Sequence, residues 1–211
     1  MTWLFSPPSL DDLARLLKAW RFWSVGVLIG GLIGAAAYYI APPPYRAHAT
    51  VLVDFNLEEA WPQETDRQQF YYLERETRKL EEIASSDIVM ESIIENNRQH
   101  TVAELRSGKL SLSQPAEGGW RFYAEDEDPQ LAEELASVWA RAFAGQVAAQ
   151  VASAEGLNSF IEVTVTQAAN LPVARSVSLS TYLFTGVVGV LALASILILF
   201  FDFGQKSPLN R

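Results

Sequence analysis

The stretch FWSVGVLIGGLIGAAAYYIA, residues 22–41, decides the architecture of this chain. It lies within 24 consecutive uncharged residues between Arg21 and Arg46. A second stretch, YLFTGVVGVLALASILILFF, residues 182–201, lies within another 26 uncharged residues. A hydrocarbon core about 30 Å thick is crossed by roughly 20 helical residues. The two stretches therefore predict two transmembrane helices, 22–41 and 182–201. A cleaved signal peptide is disfavoured, because the first stretch is too long and lacks a cleavage site before Pro42.

Basic residues close to the two predicted spans indicate how the chain is oriented. They lie on the terminal side of each span: Arg15, Lys18, Arg21, Lys206 and Arg211. Lys and Arg near a membrane helix are retained on the cytoplasmic side. Residues 1–21 and 202–211 are therefore expected in the cytoplasm, and the domain 42–181 outside it.

The N-terminal segment, residues 1–21, has a helical apolar repeat of its own. Its apolar positions are Leu10, Leu13, Leu16, Leu17 and Trp20. This spacing predicts an amphipathic helix at the cytoplasmic interface, with Ser9 as its cap. A binding site for another protein is the alternative interpretation.

The charge of the domain between the spans limits its partners. Residues 42–181 carry 11 Lys or Arg and 22 Asp or Glu, a formal net charge of −11. Nucleic acid is disfavoured as a partner, because phosphate neutralisation needs clustered basic residues. The chain has no Cys, which excludes disulfides, thiolate catalysis and Cys-ligated metal.

Periodicity within 42–181 predicts an α+β domain with a mixed sheet and helices on one face. The expected elements in chain order are a strand at 46–55, helices at 66–83 and 86–97, a short helix capped by Thr101 and Glu104, strands around 110–112 and 120–124, a helix from Pro129 to Phe143, and a strand at 161–165. In the first helix the predicted apolar stripe is Phe70, Leu73, Thr77, Leu80 and Ile83. The first and last strands both lead to a span, so they are expected to be neighbours.

The sequence predicts no catalytic, metal or cofactor site. The two imidazoles, His48 and His100, are far apart and are interpreted as ordinary surface or edge residues. The acidic run 125–128 lacks the ligand spacing of a calcium loop, and helix capping is the favoured interpretation. Glycan modification by an Asp or Glu pair remains open as an enzymatic alternative, since sequence spacing does not reveal such a pair.

Three glycines recur every four residues along the first span: Gly26, Gly30 and Gly34. Small residues at this spacing permit close contact between membrane helices. The interpretation is either oligomerisation or packing of the two spans against each other. Neither predicted span contains an ionisable residue, so a proton relay or ion pathway is not expected.

Four stretches together resemble the polysaccharide co-polymerases, the Wzz-type chain-length determinants of bacterial surface glycans and their shorter, capsule-type relatives. They are LDDLARLLKAWRFW with the Gly-rich span, YRAHATVLVD, DPQLAEELASVWARAF, and the closing strand with Pro172 before the second span. The sequence departs from the family in two ways. The Pro-rich signature before the second span is reduced to Pro172, with Arg175 and Ser178 where further prolines would fall, and the long extracytoplasmic helix of larger members is missing.

The resemblance implies a homo-oligomer in the bacterial inner membrane that sets polymer length together with a separate polysaccharide polymerase and a lipid-linked glycan. It implies no catalysis by the chain itself and places Pro172 with the glycines as helix-packing positions. Some relatives carry a cytoplasmic tyrosine kinase domain, which the short tail here lacks. Two alternatives remain: an adaptor that activates a separate cytoplasmic kinase, and an extracytoplasmic sensor or scaffold.

Overall fold

The computed structural model describes residues 20–60, 66–96, 100–113, 119–153 and 157–205. The chain divides into two compact units. One unit, Pro44–Ser176, is called the sheet domain below. The other is formed by the two flanking segments and contains the long apolar helices. The predicted N-terminal amphipathic helix lies outside the described residues, apart from Trp20.

Seven α-helices and four strands are present in the described residues. In chain order they are α1 Trp20–Ile40, β1 Tyr45–Asp54, α2 Leu57–Ala60, α3 Asp66–Ala84, α4 Asp87–Asn96, α5 Val102–Glu104, β2 Leu110–Leu112, β3 Trp120–Asp126, α6 Pro129–Ser153, β4 Glu162–Gln167 and α7 Leu179–Gln205. A π-helical turn, Leu105–Lys109, joins α5 to β2.

The two helices of the flanking segments, α1 and α7, are long and apolar enough to cross a membrane. α1 begins two residues before the predicted 22–41 span, and α7 extends beyond both ends of 182–201. The first residues of the predicted tail, 202–205, are thus helical. A helix does not end where an apolar run ends, because its backbone hydrogen bonds continue through polar residues.

The sheet has the strand order β2-β3-β1-β4 and is antiparallel at every pair. The α+β class is confirmed, but the expectation of a mixed sheet is wrong. The reason is the position of β1. Helix α6 carries the chain back along the sheet, so β3 and β4 run in the same direction, but β1 lies between them and separates what would otherwise be a parallel pair.

The expected adjacency of the first and last strands is confirmed, since β1 pairs with β4. Val51 lies opposite Val165 and Val53 opposite Val163. The predicted alternation of β1 also holds, with Ala47, Ala49 and Val51 buried. These side chains point toward the helices, and the opposite face of the sheet is mostly exposed.

Helix ends follow the capping signals in the sequence. Thr101 Oγ1 accepts a hydrogen bond from the Glu104 N–H, and the Glu104 carboxylate accepts one from the Thr101 N–H at 2.9 Å. Asp128 Oδ1 accepts from the Gln130 N–H at 2.9 Å, at the start of α6. The turn after α5 contains Gly108 at φ 151°, a conformation that L side chains rarely adopt.

Aromatic rings of β3 and α6 form the centre of the core. The Phe122 ring lies 4.7 Å from Trp139 and 5.0 Å from Phe143, and Trp120 stacks on Phe143 at 6.1 Å between centroids. Trp139 Nε1 donates to the Ala84 carbonyl at 2.8 Å, which joins α6 to the end of α3. The buried face of α6 combines large apolar side chains with small Ala side chains beside them.

Helix α3 buries Leu80 and Ile83 as predicted, but the start of the helix is rotated from the predicted face. Phe70 is 64% exposed, whereas Tyr72 and Glu76 are buried together with Leu80. The prediction included Phe70 because it placed apolar residues at helical spacing on the core-facing side of the helix. In the fold, Tyr72 contacts the Phe55 ring after β1 instead, at a centroid distance of 6.5 Å.

Candidate functional site

The three glycines predicted to pack helices lie at the contact between α1 and α7. Gly26, Gly30 and Gly34 are the buried residues of α1, which otherwise exposes large apolar side chains. An α-helix has about 3.6 residues per turn, so positions four apart lie on one side of it. In α1 this side contacts α7. The contact is therefore made by the two apolar helices of a single chain.

Backbone approaches backbone at this contact. A Cβ on Gly30 would lie 2.6 Å from the Val187 Cα, and a Cβ on Gly34 would overlap the Tyr182 carbonyl oxygen. At Gly26 the nearest atom is the flexible side-chain end of Leu191, 3.0 Å away. Larger residues at Gly30 and Gly34 would thus push α7 away, whereas Gly26 has more tolerance.

A fourth packing glycine, Gly186, was not singled out from the sequence. A Cβ there would overlap the Gly30 carbonyl oxygen. The second apolar run has two glycines in α7, Gly186 and Gly189, but Gly189 faces open space. The sequence offers both glycines as candidates for packing against α1, and only the contact between the two helices distinguishes them. Pro172 lies in the coil between β4 and α7, half-buried within the sheet domain and outside both apolar helices.

The first and last residues of the sheet domain are held together. Tyr45 and Arg175 form an isolated antiparallel bridge, and the Ser176 N–H donates to the Pro44 carbonyl at 2.8 Å. The Arg175 guanidinium also lies over the Tyr45 ring, 4.7 Å from its centroid. The domain therefore leaves and rejoins the flanking segments at one place.

A cluster of charged side chains lies where α5, the π-helical turn and β3 meet. Asp126 is 5% exposed, and its Oδ2 accepts a hydrogen bond from Lys109 Nζ at 2.5 Å. His100 Nε2 is 3.1 Å from the same oxygen but outside hydrogen-bond geometry, and its Nδ1 is 4.0 Å from Glu104. The expectation that His100 is an ordinary surface residue is wrong, because its side chain is only 11% exposed.

The surroundings of Asp126 determine its protonation. Burial by itself would raise the pKa of the Asp126 carboxyl. The hydrogen bonds from Lys109 and from the Asp128 N–H, with the charges of Lys109 and His100, outweigh burial and hold the pKa below its ordinary value. The capping hydrogen bonds from Thr101 likewise lower the pKa of Glu104. The cluster thus favours charged carboxylates paired with cations.

A second buried carboxylate lies on α3. Glu76 is 1% exposed, and its Oε1 accepts from Lys79 Nζ at 2.9 Å and from Arg75 Nε at 3.0 Å. Its Oε2 is buried without a hydrogen-bond partner. Burial, followed by the charge of Glu76, raises the pKa of Tyr72. Both cations belong to the same helix as Glu76, so these ion pairs do not join α3 to another element.

Neither charged cluster has the composition of a metal or nucleophile site. The described part of the chain has no group of three or more His, Asp or Glu side chains placed to hold a metal ion. His48 lies on the open face of the sheet with its ring 5.5 Å from Tyr123, far in sequence from the Asp126 cluster. In the acidic run 125–128, Asp128 caps α6 and Glu125 pairs with Arg46 on β1.

Comparison of the chain with protein-family models gives no match, and comparison with curated proteins gives none either.

Proposed function

We propose that this chain is a non-catalytic membrane regulator of surface polysaccharide chain length and assembly. It acts as a homo-oligomer beside a separate polysaccharide polymerase that uses a lipid-linked glycan. The location is the bacterial inner membrane, with both termini in the cytoplasm and the sheet domain outside it. The basic residues at the terminal sides of the two apolar runs support this orientation.

The observation that carries the proposal is the joining of the first and last residues of the sheet domain. The Tyr45–Arg175 bridge and the β1–β4 pair bring together the two places where the domain continues into apolar segments. Because the two ends of the domain are neighbours, both apolar segments continue from one place, which suits side-by-side repetition of the chain in a membrane.

The chemistry of the charged side chains also supports a role without catalysis. Asp126 and Glu104 are held as carboxylates by backbone N–H groups and, for Asp126, by the adjacent Lys109 ammonium. A general acid needs a carboxyl whose pKa is raised toward neutrality, whereas the pKa values of Asp126 and Glu104 are lowered. The role of these carboxylates in this proposal is to stabilise the domain.

The proposed control of polymer length depends on the presence of several copies of the chain. Copies arranged side by side in the membrane present the same surface of the sheet domain at a fixed spacing. A polymerase held against such an array stays close to its lipid-linked product for a limited time, and that time sets the polymer length. The acidic surface of the sheet domain faces the growing glycan without binding nucleic acid.

The test is gel analysis of surface glycans after deletion of the gene. The expected result is a change from a narrow to a broad length distribution, restored by the intact gene. Complementation with a Gly30→Leu variant should restore it poorly, and a Gly31→Leu variant should restore it fully. An unchanged length distribution in the deletion strain would refute the proposal and favour a sensor or scaffold.

A further inference from the structure

The sheet ends in two edge strands that are open in the described part of the chain. β2 pairs with β3 only, and β4 pairs with β1 only. An edge strand presents backbone N–H and C=O groups to any strand that approaches it. Proteins usually protect such edges with Lys, Pro, a bulge or a covering helix.

The β4 edge has one of these protections, a register shift in its pairing with β1 between Thr50 and Val51, but no Lys or Pro. Its sequence, EVTVTQ, has one charged residue, no Pro and four β-branched residues. Val163 and Val165 point toward the core but are only half-buried, whereas Thr164 lies exposed on the open face. Uncharged β-branched edges favour addition of another strand.

Backbone groups of β2 point toward its open edge, and the described residues leave space beside it. The Ser113 N–H donates to the Arg121 carbonyl on β3, whereas the Leu110 N–H points away from β3 and donates to the Leu105 carbonyl. Backbone groups alternate along a strand, so the N–H and C=O of Leu112 point to the open edge.

The side chains of Leu110 and Leu112 remain half-buried because they line a cleft instead of packed core. The cleft has a volume of about 400 Å³. Its lining combines apolar side chains, among them Met90, Leu105 and Trp139, with the charged Glu81 and Arg106. An incoming strand that pairs with Leu112 would therefore place its core-facing side chains into this cleft. Branched apolar side chains of the size of Val suit such a space.

The directions of the strands determine which copies can pair. With four antiparallel strands, β2 and β1 run one way and β3 and β4 the other. When a second copy faces the same way, its β2 runs opposite to β4 of the first. The alternation of strand direction then continues from copy to copy, and the core-facing side chains of β4 and of the second copy's β2 lie on the same face of the joined sheet.

We propose that β4 of one copy pairs antiparallel with β2 of a second copy, so that Val163 and Val165 enter the cleft beside Leu110 and Leu112. The contact is head-to-tail, because two different edges meet. It deepens the proposed function, on which it rests for the presence of several copies in one membrane. Anchoring in a shared membrane raises the effective concentration and allows a short edge contact to form.

Cysteine crosslinking in native membranes tests this contact, because the full chain has no Cys of its own. Leu112→Cys and Val163→Cys in one chain should give a ladder of crosslinked multimers with a short thiol reagent. Each single variant alone should give monomer, and co-expression of the two single variants should give dimers. Val165→Cys replaces Val163→Cys in a parallel series that covers the neighbouring register. The control pairs Leu112→Cys with Ile88→Cys, whose parent side chain is 61% exposed on α4, and should give no ladder.

A charge placed in the contact tests the same geometry through loss of the ladder. Val165→Glu should abolish the ladder of a Leu112→Cys and Val163→Cys chain, because its carboxylate would enter the cleft beside that of Glu81, while Arg106 is paired with Asp87. Thr164→Glu is the matched control, since its side chain projects from the open face, and its ladder should persist. Unchanged urea unfolding of the sheet domain in both variants would show that the fold is intact.

Four results would overturn the inference: no ladder in either double variant, self-crosslinking of one single variant, crosslinks only to a different protein, or an unaffected ladder with Val165→Glu. These results are separate from the glycan test. A broadened glycan distribution without any ladder would retain the proposed function and reject this contact. A ladder with unchanged glycans would retain the contact and reject the function.

Discussion

Replacing Gly30 by Leu should separate the two apolar helices, whereas the same change at Gly31 should not. A Cβ at position 30 would lie 2.6 Å from a backbone atom of α7, and ordinary van der Waals contact begins at 3.4 Å. The Val187 backbone cannot rotate away as a side-chain end could. The helices must therefore move apart by roughly 1 Å, which forfeits a quarter to a half of the contact energy of the atoms involved.

Overpacking of this kind costs about 1–3 kcal/mol. The equilibrium between the paired and separated helices should consequently shift by about 5- to 150-fold. Gly31 is the matched control because a Cβ there has nothing within 4 Å. Both variants add the same side chain to α1, so they change its hydropathy and its insertion into a membrane equally.

Intramolecular crosslinking measures the helix pairing. Val25 and Val190 line one groove between α1 and α7, and both can be replaced by Cys in the Cys-free chain. With a short thiol reagent, the crosslinking rate should fall in the Gly30→Leu chain and remain unchanged in the Gly31→Leu chain. Equal rates in all three chains would refute the packing argument. An equal fall in both Leu variants would show that added bulk, and not its position, is responsible.

Three further changes test the sheet domain. Trp139→Phe keeps an aromatic ring in the core but removes the donor to the Ala84 carbonyl, so the free energy of unfolding in urea should fall by about 1–3 kcal/mol. Asp126→Asn should make the free energy of unfolding depend less steeply on pH at acidic pH. The Asp126 pKa is lower in the folded chain, so its contribution is fully present above the unfolded value of 3.8 and is lost as the pH falls below it. A parent chain whose free energy of unfolding stays constant between about pH 5 and about pH 2 would contradict this. Glu76→Met should be neutral or stabilising at pH 7, because it removes a buried charge with one unpartnered oxygen while its cations remain partly exposed. A large loss of stability in thermal unfolding would instead assign Glu76 an essential role.

The elements of the sheet domain could be predicted because each is marked by local signals. Thr101 with Glu104, and Asp128 with Pro129, satisfy or replace backbone donors within a few residues, so they fix helix starts without tertiary contacts. The alternation of Ala47, Ala49 and Val51 similarly fixes which face of β1 is buried. The neighbouring positions of β1 and β4 followed from the two apolar runs that flank them.

Long-range contacts were not predictable in the same way. His100 and Asp126 are distant in sequence, and only the tertiary fold brings His100 Nε2 to 3.1 Å from the Asp126 carboxylate. The burial of Glu76 in place of Phe70 depends on how α3 is rotated against the core, which a helical repeat leaves open when several faces carry apolar residues.

The sequence by itself determined two apolar helices, an α+β domain between them and a glycine face on the first helix. These follow from local hydropathy and spacing, which act within one segment. Only the tertiary structure decided that the sheet is antiparallel throughout, that Gly186 and not Gly189 meets the glycine face, and that the two ends of the domain are tied through Tyr45 and Arg175. Each of these depends on which segments become neighbours, and that choice is made by the packing of the whole core.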